Sequence, residues 1–85
     1  MPASASLRVL ITGAGSGLGR ALALAYAQQG ASVACTDRDP IAAAETMALI
    51  EREGGKGIAF GLDVTSEADF EAAAARLQKI GRAHV

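Results

Sequence analysis

At 85 residues, 51% apolar, 20% charged and only 4% aromatic, the chain has room for at most one modest domain, and its composition is that of a globular α/β segment. A formal net charge of -1 supplies no field to attract nucleic acid or an anionic membrane, and no stretch approaches the roughly 18 apolar residues of a membrane span. The single cysteine, Cys35, excludes an internal disulfide and a cysteine-cluster metal site, so no metal and a reducing, cytoplasmic setting are expected.

The N-terminal MPASAS leads into only Leu7 to Ile11, interrupted by Arg8, which is short of the roughly 7 to 15 apolar residues of a signal-peptide core. Leu7 to Thr12 is itself apolar and bounded by serine and glycine, which predicts a buried strand. It runs into TGAGSGLG, and then Leu18, Ala21, Leu22, Ala25 and Tyr26 recur at helical spacing. That predicts a first helix with this face inward and Gly30 as its stop. Ser32 to Thr36 reads as a second strand, followed by Asp37 and Arg38. Asp39 as N-cap and Pro40 in the first turn open a second helix with Ile41, Ala44 and Ala48 on one face, ended by Gly54 and Gly55. Gly57 to Leu62 reads as a third buried strand, with Asp63 and Val64 behind it. Ser66 caps a third helix with acidic Glu67 and Asp69 in its first turn, and Phe70, Ala73, Ala74 and Leu77 share a face before Gly81.

The alternation β-α-β-α-β-α, with near-continuous apolar strands, predicts an α/β fold: the N-terminal half of a doubly wound parallel sheet covered on both faces. The strand order follows as 3-2-1, with the place of a fourth strand on the far side of the first. In this chain the first strand is therefore expected to present an open apolar edge.

Gly13, Gly15, Gly17 and Gly19 stand where the first strand ends and the first helix begins. Unpaired amides and the positive end of the helix dipole attract phosphate there, and glycine removes the Cβ atoms that would keep a pyrophosphate away. No lysine lies between Met1 and Glu53, so a Walker loop is excluded. The G-x-G-x-x-G form also fails, because counting from Gly15 and Gly17 puts Arg20 at the third glycine. Gly13, Gly17 and Gly19, with Thr12 in front, instead satisfy T-G-x-x-x-G-x-G.

With that context TGAGSGLG resembles the cofactor loop of the short-chain dehydrogenase/reductase family. ACTDRD resembles that family's second strand with its ribose-binding acid, and GLDVTSEADF its third strand, adenine-contacting Asp-Val pair and following helix. The resemblance implies a Rossmann fold, residues 1–85 forming part of an NAD(P)-binding domain, and an oxidoreductase that moves a hydride between nicotinamide and an alcohol or carbonyl substrate. It implies that Gly13, Gly15, Ser16, Gly17, Leu18 and Gly19 hold the pyrophosphate, Asp37 with Arg38 the adenosine ribose side, and Asp63 with Val64 the adenine. It further implies a homo-oligomeric parent protein.

Asp37 and the non-basic Ser16 favour NAD over NADP, whereas Arg38 could pair with a 2′-phosphate; NAD is the expected cofactor. The family's Tyr-x-x-x-Lys has no counterpart here, since Tyr26 is followed four residues later by Gly30. No catalytic residue is therefore assigned to this chain, and the resemblance puts the reaction centre after Val85. A non-catalytic dinucleotide-binding or sensing module is the alternative. Asp63 has a second reading as a turn or capping acid, Cys35 and Tyr26 read as packing residues, and His84 has no ligand or acid in sequence reach. Codons for KIGRAHV can be written AAG ATC GGA AGA GCA CAC GTC, which contains the start of a common sequencing adapter. KIGRAHV thus has two readings, the first residues of a fourth strand or a non-native tail over Ile80 to Val85; the tail is the expected one, and codons for IGRAHV at the locus, followed by a longer open frame, would overturn it.

Overall fold

The computed structural model describes residues 7–80 and 83–84, with side chains described through Arg76; MPASAS, Gly81, Arg82 and Val85 lie outside the described residues. The elements are β1 (Arg8–Ile11), α1 (Gly17–Gln28), β2 (Ser32–Asp37), α2 (Pro40–Arg52), β3 (Lys56–Gly61), α3 (Glu67–Ile80) and β4 (Ala83–His84). All strand pairs are parallel and the order is β3-β2-β1-β4, the doubly wound arrangement expected. The edge of β1 is not open along its whole length, however, because Ala83 and His84 pair with Val9 and Leu10. After pairing with β2, the central strand keeps one row of backbone donors and acceptors, and the crossover through α3 brings a strand back to it.

Register divides the sheet into two faces. Val9, Ile11, Val33 and Cys35 are buried in one core with Ala23 of α1 and Ala43, Met47 and Ile50 of α2. On β3 this face carries Gly57, Ala59 and Gly61, and a Cβ on Gly57 would run into the Val33 carbonyl and Met47 Sδ. The small residues let α2 lie close against the sheet edge. Leu10 and Ala34 are buried on the opposite face, in register with Ile58, and there the Arg76 guanidinium of α3 sits 4.0 Å from the centre of the Phe60 ring. As an outer strand β3 is half-exposed rather than buried.

Local end signals hold where they were read. Asp39 caps α2, its Oδ1 accepting from the Ile41 and Ala42 amides at 2.9 and 3.3 Å, with Pro40 in the first turn. Ser66 Oγ accepts from the Asp69 amide at 3.2 Å at the start of α3, and Gly30 and Gly54 follow α1 and α2 with positive φ.

The inward faces of the helices differ from the expected ones. In α2, Ile41 is 71% exposed and Ala44 and Ala48 face solvent, while Ala43, Thr46, Met47 and Ile50 form the buried stripe. In α1, Leu18, Ala21 and Ala25 are exposed; Ala23 is buried, with Leu22, Leu24, Tyr26 and Ala27 packed around the core. In α3, Ala73 is buried but Phe70 and Ala74 are exposed, and Leu77 lies outside the described side chains. Alanine gives little hydrophobic contrast between faces, so the pattern alone does not fix the stripe, and packing turns Met47 and Ile50 inward with Ala43 and Thr46.

Cys35 is completely buried, and burial pushes its thiol up to about 11. An unburied cysteine ionises near about 8.5, so the unfolded chain loses this proton first. The stability contributed by the neutral buried thiol is therefore whole below that value and is lost as pH rises through about 11. Two results are expected: a thiol reagent at about pH 8 labels the unfolded but not the folded protein, and Cys35→Ala removes the alkaline slope of stability in denaturant melts. Ready labelling of the folded protein would contradict this burial.

Candidate functional site at the carboxyl ends of β1 and β2

The turn from β1 into α1 spans Thr12 to Ser16. Gly13 and Gly17 adopt φ of 65° and 58°, the left-handed region that side chains resist, and a Cβ on either would point into open space. Gly19 is required for a different reason: a Cβ there would collide with the Gly13 carbonyl, so the loop lies directly on the first turn of α1. Ser16, at the N-cap, is extended and its side chain makes no capping bond, and no acidic residue lies in the first turn of α1. The leading amides of the helix, at the positive end of its dipole, thus remain free of side-chain caps beside a surface without Cβ atoms.

Long-range hydrogen bonds hold this loop. The Ala14 amide donates to the Thr36 carbonyl at 2.8 Å, and the Thr36 hydroxyl donates to the Ile11 carbonyl at 2.8 Å. The Gly15 amide donates to Asp37 Oδ2 at 2.9 Å, and the Asp39 amide to Asp37 Oδ1 at 3.0 Å. A carboxylate offers about four acceptor sites, so Asp37 retains capacity for further donors after binding these two. From α2, the Thr46 hydroxyl donates to the Ala14 carbonyl at 2.7 Å and accepts from Arg20 Nε at 2.9 Å.

The structure brings Gly13, Gly15, Ser16, Gly17, Gly19 and Asp37 together at one end of the sheet. Leu18 projects from the first turn of α1 and is 76% exposed. The third strand joins this end through the Leu62 amide, which donates to the Asp37 carbonyl at 2.8 Å. Asp63 has a turn-forming role: its Oδ1 accepts from the Thr65 hydroxyl at 2.6 Å and amide at 2.9 Å, while its own amide donates to Asp69 Oδ2 at 3.0 Å. The Thr65 hydroxyl and amide, with a smaller contribution from the Arg38 charge, hold the Asp63 carboxyl below the usual carboxylate range. Val64, next to Asp63, is 49% exposed.

Sequence reasoning missed Thr46 and Arg20. Each carried a faint signal: Thr46 interrupts an otherwise mainly apolar run, and Arg20 stands where another glycine pattern would place its third glycine. Among the described residues, no helix is long and apolar enough to cross a membrane, and no group of three or more His, Cys, Asp and Glu side chains could hold a metal ion.

Comparison with known proteins covers the same elements. Residues 7–85 match the family described as short chain dehydrogenase. A probable oxidoreductase, EphD, of Mycobacterium tuberculosis is 42% identical over 69 residues, covering 81% of this chain and 12% of that protein. The 7alpha-hydroxysteroid dehydrogenase of Escherichia coli is 36% identical over 77 residues, or 89% of this chain and 30% of that enzyme. The crystal structure of a hydroxysteroid dehydrogenase from Escherichia coli superposes with a TM-score of 0.85 at 33% identity, covering 94% of this chain and 36% of that one. The chain thus spans between 12% and 36% of the length of these relatives. Likeness that runs through the sheet and its helices, and not through the glycine turn alone, shows that the chain belongs to the short-chain dehydrogenase family.

Proposed function

We propose that residues 1–85 form the cofactor-binding part of an NAD-dependent oxidoreductase that moves a hydride between nicotinamide and an alcohol or carbonyl substrate. The observation that carries this reading is the 2.9 Å bond from the Gly15 amide to the Asp37 carboxylate, which joins the glycine turn to an acid at the next strand end. A pyrophosphate fits the uncapped amides and the Cβ-free surface at Gly13 and Gly17. Ribose hydroxyls fit the remaining acceptor sites of Asp37, and Arg38, Asp63 and Val64 line the adenine side. The nicotinamide of the bound dinucleotide supplies the hydride acceptor or donor. This segment's own residues bind and orient: the Gly13 to Gly19 turn neutralises the phosphates with backbone dipoles, and Asp37 selects the ribose. Other residues of the parent protein carry the acid-base step. That parent is read as a cytoplasmic homo-oligomer with a small-molecule substrate.

The test is titration of the full-length protein with NAD and NADP by calorimetry, followed by a screen of alcohols and ketones for a change in nicotinamide absorbance. Binding of NAD with turnover of at least one substrate is expected. Binding without turnover of any substrate would favour a sensing module, and failure to bind either dinucleotide at millimolar concentration would overturn the reading altogether.

A further inference from the structure

Buried threonine is uncommon in a helix interior, where its branched side chain loses rotamer freedom and its hydroxyl needs a partner. Thr46 is completely buried in the middle of α2. Its hydroxyl has one proton, and the Ala14 carbonyl at 2.7 Å is a far better acceptor for it than the Ala42 carbonyl of its own helix at 3.4 Å. Arg20 Nε donates to the same oxygen at 2.9 Å, while the end of its guanidinium lies 3.5 Å from the Glu45 carboxylate. With a lone pair of Thr46 occupied by Arg20, the hydroxyl proton is directed at Ala14. The peptide between Ala14 and Gly15 is consequently held at both ends, its carbonyl by Thr46 and its N–H by Asp37.

We infer that Thr46 and Arg20 are positioning residues that fix the plane of the Ala14–Gly15 peptide and thereby keep the glycine turn in its anion-binding shape. Rotation of that peptide would swing the carbonyl away from α2 and change which dipoles the turn presents. Thr46 opposes the rotation from a buried site. Any effect it has on a ligand is transmitted through the loop backbone. The inference rests on the dinucleotide reading of this turn only for its consequence for binding. The clamp itself is a property of the protein alone.

Two readouts in the full-length protein separate these levels: affinity for NAD, and hydrogen exchange of the Gly15 amide without ligand. Thr46→Val keeps the shape and removes the hydroxyl. It is expected to weaken NAD binding about tenfold and to speed Gly15 exchange by about the same factor, the scale of one hydrogen bond. Thr46→Ser is expected to restore both, and Arg20→Met to reproduce part of the loss with the sequence of α2 unchanged. If Thr46→Val does not fold, Arg20→Met and Thr46→Ser still give both readings. A lower Tm with unchanged NAD affinity and unchanged Gly15 exchange would overturn the proposal, as would a Thr46→Ser protein that behaves like the valine variant. If the unmodified protein binds no dinucleotide, the functional reading fails, while Gly15 exchange still decides the clamp.

Discussion

Replacing Asp37 with serine in the full-length protein is expected to raise the ratio of kcat/KM for NADP over that for NAD by about a hundredfold. A 2′-phosphate placed against the Asp37 carboxylate at ~4 Å would be repelled by roughly 4 kcal/mol at an effective dielectric of 20, and screening leaves about 2 to 3 kcal/mol of that to be relieved. Arg38, exposed at the next position, is then free to pair with the phosphate. The change carries a cost for both cofactors, because the Gly15 and Asp39 amides lose the acceptor that binds them at 2.9 and 3.0 Å. Activity with NAD should therefore fall at least about tenfold, since even one hydrogen bond to a charged group is worth about 1.5 to 3 kcal/mol. Asp37→Asn separates the two effects, since it removes the charge while keeping an oxygen for the backbone. Steady-state kinetics with both cofactors decide the matter. An unmodified enzyme that already works better with NADP would remove Asp37 from the selecting role.

Gly19→Ala is expected to lower both stability and dinucleotide affinity sharply. In most helices alanine is favoured over glycine by about 0.8 to 1 kcal/mol. Here the added carbon collides with the Gly13 carbonyl, lies 2.6 Å from its carbon and 3.1 Å from the Ala14 Cα, and none of these is the end of a flexible side chain. The loop must move as a unit, and overpacking of this kind costs about 1 to 3 kcal/mol. Because the displaced residues are the anion-binding turn itself, dinucleotide affinity should fall at least as steeply as stability. Gly54→Ala is the control: φ is +83° there but no atom lies within 4 Å of the new carbon, so it should cost about 1 kcal/mol and leave cofactor binding unchanged. Thermal melts and calorimetric titration of both variants test this. Equal behaviour of the two would mean that the approach of Gly13 to α1 does not explain Gly19.

The order of elements, their end signals and the glycine spacing were legible in the sequence because each depends on residues a few positions apart. Asp39 and Pro40 start α2 by local hydrogen bonding and a fixed φ, and Gly13 and Gly17 mark a turn that other residues resist. The parallel sheet order also followed, since short crossovers of one hand allow few alternatives. Tertiary structure alone decided which side of each alanine-rich helix faces inward. Ile41 and Leu18 satisfy a helical pattern yet stand in solvent, while Met47 and Ile50 of α2 and Ala23 of α1 are buried, because alanine-rich faces differ too little in hydrophobicity for periodicity to choose between them. It also assigned the Asp63 carboxylate to Thr65, and joined Ala14 to Thr46 across 32 positions and Arg20 to Thr46 across 26. Periodicity reports which face of an element is apolar and says nothing about which distant carbonyl will need a donor; that need exists only once β1, β2 and α2 have packed and shut water out.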